Sequence, residues 1–225
     1  MIALWAAVAL GMGPAVVNHG PRDRKRVALT FDACSGPPPG KLDLAVVAAL
    51  EAAAVKATFF VGGAWAEQDP ARVQRLLADP RFEVESHAYH HPHLLVESDR
   101  AIRGELQHGI AALTPQLGRA PVYLRAPYGE ADGRLARLAA GLGLTVIGFD
   151  LPSGDPDPHF DKARLVRWVL AQVRPGSIIV MHANGRGWHT AEALPAILAG
   201  IEHKGLELVT MAELLATAPD GGAGN

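Results

Sequence analysis

The stretch Val27–Leu50 reads VALTFDACSGPPPGKLDLAVVAAL. Val27–Phe31, apolar except for Thr30, reads as a buried strand. Leu42, Val46, Val47, Leu50 and Ala54 then recur at helical spacing and line one face of a helix. The loop between them, Ser35–Gly40 (SGPPPG), is stiff with proline and is not a domain boundary, because the helix signal resumes at once. Further units of this kind follow along the chain. Candidate strands are Ala57–Val61, Phe82–Glu85, Val122–Leu124, Thr145–Phe149, Ser177–Met181 and Leu206–Val209. Helical stripes run through Val73, Leu76 and Leu77; through Ile102, Leu106, Ile110 and Leu113; and through Leu135, Leu138 and Leu142. Others run through Leu165, Trp168, Val169 and Gln172, and through Leu194, Ile197, Leu198 and Ile201, with Leu214 and Leu215 in a last short helix. This alternation predicts an α/β fold with a parallel sheet and helices outside, as a barrel or a doubly wound sheet.

Composition narrows the function classes. With 225 residues, 49% hydrophobic and 20% charged, the chain is no disordered protein and can bury a full core without staples. Its 21 Lys and Arg against 23 Asp and Glu give a net charge of -2, which argues against a nucleic-acid binder working through a basic surface. The single cysteine excludes an intrachain disulfide and a cysteine-cluster zinc site. Met1–Val17 (MIALWAAVALGMGPAVV) is uncharged, but Gly11, Gly13 and Pro14 break it and it is short for a membrane span. It reads as the apolar part of a signal peptide, so an exported protein is expected, extracellular, periplasmic or associated with a cell wall. The alternative is a cytoplasmic protein with a first core strand over Ala15–Asn18. Residues 18–217 then form one domain, and residues 218–225 (Pro219–Asn225, PDGGAGN) a disordered tail.

Polar residues collect where strands end. Asp32 follows the first candidate strand, His87 the third, Arg125 the fourth, Asp150 the fifth and His182 the sixth. In α/β barrels the working residues stand at the C-terminal ends of strands. The densest cluster is Ser86–His93 (SHAYHHPH). His87 and His91 are four apart, so a helical turn would aim both at one metal, and neutral imidazole suits zinc, cobalt, nickel or iron. His90 and His93 read as surface residues. Asp32, leaving a buried strand, is a candidate acid or base. Arg125 is suited to orient a carboxylate, or to a structural ion pair. His182, ending Ile178–Met181, is a candidate acid or base, and Asp150 and Asp155 are available to hold its imidazole in one tautomer. Either aspartate equally suits a turn. Trp188 has a flat indole suited to stack on the ring of a ligand or to anchor its loop.

Thr30-Phe31-Asp32, His87–His91, Arg125-Ala126-Pro127-Tyr128, Ser153-Gly154-Asp155 and Met181-His182 occur in this order, and Thr190–Pro195 (TAEALP) lies beyond them. From about Val27 to Leu215 the chain resembles the NodB-type polysaccharide deacetylases, the fourth carbohydrate esterase family. The resemblance implies a distorted (β/α) barrel of about seven strands, of the glycoside hydrolase–deacetylase type, and removal of acetyl groups from N-acetylated or O-acetylated glycans with the help of a divalent metal. The metal implied is zinc, with cobalt or nickel as alternatives. Asp32 would be the general base and His182 the general acid, with Arg125 steadying the first and Asp155 the second. His87 and His91 would bind the metal, and the backbone N–H of Tyr128 would meet the oxyanion. No nucleic-acid partner and no stable membrane insertion are expected.

The chain departs from the family at two positions. Ala33 stands where the family carries the third metal ligand, an aspartate, and Pro156 stands where it carries a tryptophan. The phrase TFDAC (Thr30–Cys34) resembles a subgroup without the second aspartate. Asp32, a Cys34 thiolate or extra waters would have to complete the shell, and metal retention weaker than with the full triad is expected. Two further readings stay open. One is a glycan-binding or partner-binding protein that kept the barrel and lost the metal; the other is an amidohydrolase acting on a small non-sugar amide.

Overall fold

Strand β1 (Arg26–Ala33) is buried from Val27 onward, because it has neighbours on both edges and cover on both faces. In this computed structural model, which describes residues 14–34 and 40–217, β1 pairs with β2 (Ala57–Val61) on one edge and with β7 (Ile178–His182) on the other. Its first residues also pair with β8 (Glu207–Val209). Beyond β2 come β3 (Phe82–Ser86), β4 (Tyr123–Leu124) and β5 (Thr145–Val146), and β6 (Leu151–Pro152) lies beyond β7. Every pairing between these strands is parallel, giving the order β5-β4-β3-β2-β1-β7-β6. The sheet is a curled, incompletely closed barrel. The segment before β1 lies across its seam: Val17 bonds to Val146 and Gly148, and Gly20 bonds to Gly176. The strand alternative over Ala15–Asn18 is thus reduced to single bridges at Val17 and His19.

The helices are α1 (Leu44–Ala52), α2 (Gly63–Gln68), α3 (Pro70–Leu77), α4 (Asp99–Leu117), α5 (Gly133–Ala140), α6 (Lys162–Gln172), α7 (Thr190–His203) and α8 (Met211–Leu215). Most begin on a side chain that accepts from first-turn N–H groups: Asp43, Asp69, Ser98, Asp132, Asp161 and Thr210. Among the described residues no helix is long and apolar enough to cross a membrane. The expected apolar leader falls mostly on residues 1–13 and the expected tail on residues 218–225, outside the described residues.

Side chains alternate across β1 and β7, and this alternation makes the site. Leu29, Phe31 and Ala33, with Ile179 and Met181, face the outer helices, and Phe31 stacks on Phe59 at 5.2 Å. Ala28 and Ile178 face the barrel interior, where α8 contributes Met211 and Leu214 to a floor. Thr30, Asp32, Val180 and His182 share that inward face, two and four residues further on. Thr145–Phe149 is strand only over its first two residues, and β6 escaped the sequence reading because it is two residues long and ends in proline. Helix α2 escaped it because GAWAEQ is too short for a periodic stripe.

Candidate active site

Arg125 follows β4 and is fully buried. Its donors are matched one by one: Nε to the Ile147 carbonyl at 2.8 Å, Nη1 to Asp32 Oδ1 at 3.3 Å and Nη2 to Thr30 Oγ1 at 3.1 Å. Phe60 lies 4.5 Å and Phe149 5.3 Å from the guanidinium. Burial pulls the Arg125 pKa down and the Asp32 carboxylate works against that fall. One carboxylate oxygen of Asp32 is thereby fixed, and the other, Oδ2, lies 4.0 Å from His87 Nε2.

His87 follows β3 and is 1% exposed. Its Nδ1 lies 2.9 Å from the Arg125 carbonyl oxygen. A carbonyl only accepts, so Nδ1 carries the proton and Nε2 presents a lone pair. Among the described residues Nε2 has no hydrogen-bond partner. His91 comes alongside with ring centroids 4.9 Å apart. The helical turn expected to join them is absent. Residues 87–93 form a loop in which Ala88 (φ 61°) and His91 (φ 73°) take left-handed conformations that double the chain back. Glu105 of α4 holds the loop by accepting from the backbone N–H groups of Tyr89 and His90. Gly109 lets α4 approach, since a Cβ there would lie 2.9 Å from the Ala88 carbonyl oxygen. Burial pushes His87 below the usual imidazole value, and burial with the neighbouring His87 pushes His91 down to about 4. Both rings are neutral near pH 7, as ligation requires.

Cys34 shares the inward side of the chain with Asp32. Its sulfur and one nitrogen each of His87 and His91 lie within 4.8 Å of one another. Asn184 donates from Nδ2 to the Cys34 carbonyl at 2.9 Å and to its sulfur at 3.5 Å. Burial, then the charge of Asp32, raises the free thiol to about 11, against the opposing pull of Arg186. Two imidazoles and a thiol, oriented by the Arg125 carbonyl and Asn184, suit a borderline-soft divalent ion.

His182 ends β7 at the opposite side. Its Nδ1 lies 2.9 Å from Asp155 Oδ1, and its backbone N–H donates to Asp155 Oδ2 at 2.8 Å. Buried Asp155 also accepts from Thr190 Oγ1 at 2.7 Å and Ser153 Oγ at 3.0 Å. Gly187 makes room for this cluster, since a Cβ would fall 2.6 Å from Asp155 Oδ2. Burial works against a charged His182, but the hydrogen bond and charge of Asp155 outweigh it and hold the pKa above the usual imidazole value. Asp150, the other aspartate considered for this role, is at the wrong end of the strand. It accepts from the Ile178 N–H at 2.8 Å, where β7 begins, and pairs with Arg22 at 2.7 Å.

Asp32, Cys34, His87, His91, His182 and Asp155 thus line one cavity of about 260 Å³. Tyr128 lines it too, with a left-handed φ of 60°, its ring stacked on His93 at 3.7 Å. Trp188 is 62% exposed and outside the lining, and its backbone N–H donates to the Asp155 carbonyl at 3.0 Å. Arg186 lines the cavity and sequence reasoning missed it, because a lone arginine in a glycine-rich loop carries no periodic or motif signal.

Residues 19–147 match the family model described as polysaccharide deacetylase. The chain belongs to this family. It is 33% identical over 196 residues to a peptidoglycan-N-acetylglucosamine deacetylase of Listeria monocytogenes, covering 86% of this chain and 39% of that one. It is 30% identical over 208 residues to a chitin deacetylase of Colletotrichum lindemuthianum, covering 86% and 81%. This deacetylase-family chain therefore spans about two-fifths of the Listeria relative and most of the fungal one. Its fold matches that of a fourth-family carbohydrate esterase pseudoenzyme from Bacillus anthracis with a TM-score of 0.82 at 23% identity, covering 91% of this chain and 70% of that one. The distorted barrel expected from the sequence is the fold observed.

Proposed function

We propose that the chain is a metal-dependent hydrolase that removes acetyl groups from N-acetylated carbohydrate polymers or oligomers. One observation carries the reading: a single cavity joins an arginine-held carboxylate, two neutral histidines, one buried and one half-buried, and an aspartate-held histidine. The names of the relatives support glycans built on N-acetylglucosamine as the substrate class, and with them an exported, wall-facing protein. A divalent ion, zinc first among the candidates, would sit on His87 and His91 and supply Lewis acidity towards the acetyl carbonyl and the attacking water.

The chain's own groups do the rest. Asp32 Oδ2 takes the proton of the attacking water, while Arg125 keeps the carboxylate in line. The Tyr128 backbone N–H donates to the developing oxyanion. His182 gives a proton to the departing amine, and Asp155 fixes the donor nitrogen by holding Nδ1. The exposed indole of Trp188 is available to stack on a neighbouring sugar ring.

The test is acetate release by the chain stripped of metal and reloaded with zinc. Release from N-acetylglucosamine oligomers, well above that from small non-sugar amides, is expected. The missing carboxylate at Ala33 favours a rival, a glycan binder without chemistry; saturable oligomer binding with no acetate at any zinc concentration would establish it. Asp32→Asn should lower the rate by about 10²–10⁴-fold and, because it takes the charged partner from buried Arg125, should also lower the melting temperature; a folded variant within tenfold of the parent removes Asp32 as the base.

His182 also sets a pH dependence. A raised pKa keeps the proton on His182 to higher pH, so activity extends to the alkaline side and falls as pH rises through that pKa. Asp155→Asn removes the carboxylate charge that helps raise it, leaving at most a neutral acceptor, and the alkaline limb of the kcat profile should move to lower pH. A limb that stays put would mean another group is the acid.

A further inference from the structure

The site has two imidazole donors and lacks the carboxylate that Ala33 replaces. Ala33 is fully buried in the apolar cluster under the outer helices and does not line the cavity. The next residue does. Alternation along β1 puts Cys34 on the inward side with Asp32, and it presents its sulfur to His87 and His91.

We propose that the Cys34 thiolate is the third protein ligand, giving a Cys-His-His site in which the donor residue has shifted one position along the chain. This deepens the hydrolase reading and rests on its metal site. Three observations converge. His87 is 1% exposed, and its Nε2 has no hydrogen-bond partner among the described residues and points into the cavity. The Asn184 Nδ2–H reaches the sulfur at 3.5 Å, so the thiolate keeps a donor while it ligates. Asp32, the other anion within reach, has Oδ1 engaged by Arg125 and stays available as the base. Ligation forms one sulfur–metal bond and releases the thiol proton to solvent. Sulfur in the donor set favours zinc and cobalt over magnesium, manganese or calcium, which prefer oxygen.

Cobalt(II) titration of the full chain under reducing, oxygen-free conditions tests this. The chain has 1 cysteine, so a sulfur-to-cobalt charge-transfer band in the near ultraviolet has a single source. The band is expected in the parent, retained in Asp32→Asn and absent in Cys34→Ala. In zinc competition, Cys34→Ala should bind more than about 100-fold more weakly, since even groups that only support a ligand are worth 10–100-fold. Thermal melts of the metal-free proteins show whether the variant is folded. Visible cobalt bands in the parent that vanish in His87→Ala, with no charge-transfer band, would overturn the proposal and leave the hydrolase reading standing. A parent that binds no cobalt would also overturn it, and acetate release with zinc would then judge the hydrolase reading separately.

Discussion

His87→Ala is expected to reduce acetate release to the uncatalysed background and to leave the protein without metal after gel filtration, where the parent retains about one ion. The expectation follows from the ring's two engagements. Nδ1 is spent on the Arg125 carbonyl, so Nε2 is the one nitrogen free for a metal, and nothing adjacent replaces it in the alanine variant. Alanine also leaves that carbonyl without its partner, a loss of about 1–3 kcal/mol for a buried group. His87→Asn separates the two effects, because its amide can donate to the carbonyl and has nothing to offer in place of Nε2. The asparagine variant should melt close to the parent and still hold no metal. Metal retained at parental stoichiometry in both variants would remove His87 from the site.

Arg125→Met should cost the largest amount of stability of any single change at the site. The guanidinium is fully buried and bonded to Asp32, Thr30 and the Ile147 carbonyl. Removing it strands a buried carboxylate, and breaking a buried ion pair in this way costs about 3–5 kcal/mol. For a domain of this size that is a fall of roughly 6–20 °C in Tm. Arg125→Lys keeps the charge but not the fork of donors, and should fall between parent and Met variant. Urea unfolding measures all three. A Met variant within about 1 kcal/mol of the parent would mean that Asp32 finds another partner or that the pair adds little.

The sequence legibility of this chain follows from burial. β1, β2, β3 and β7 were legible because each is a run of at least five residues with cover on both faces. β6 was not, because two residues carry no period. Asp32, His87, Arg125 and His182 could be picked out because each comes at or just past the end of a strand, and the structure brings all four to one cavity or, for Arg125, directly behind it. Asp150 misled because nearness to a strand in sequence does not say which end of the barrel it reaches; the register of β6 on β7 decides that. The spacing of His87 and His91 named the right neighbours for a reason that does not hold. Two left-handed residues, unreadable from residue types such as alanine and histidine, bring the rings together. Arg186 could be placed only once the loop after β7 was seen to fold over the cavity.

The pairing of β1 with β7 also constrains how the chain acquires its fold. Thr30 and Ile179, bonded across the middle of the sheet, are 149 residues apart. During synthesis, at roughly 5–20 residues per second, β1 and its inward polar groups wait about 7–30 seconds for a partner on that edge. The seam segment around Val17 waits almost as long for Val146. Contacts of this range make slow folders with open strand edges exposed in the interim. Refolding yield should therefore fall with protein concentration, and the chain should profit from a chaperone that covers the β1 edge until β7 arrives.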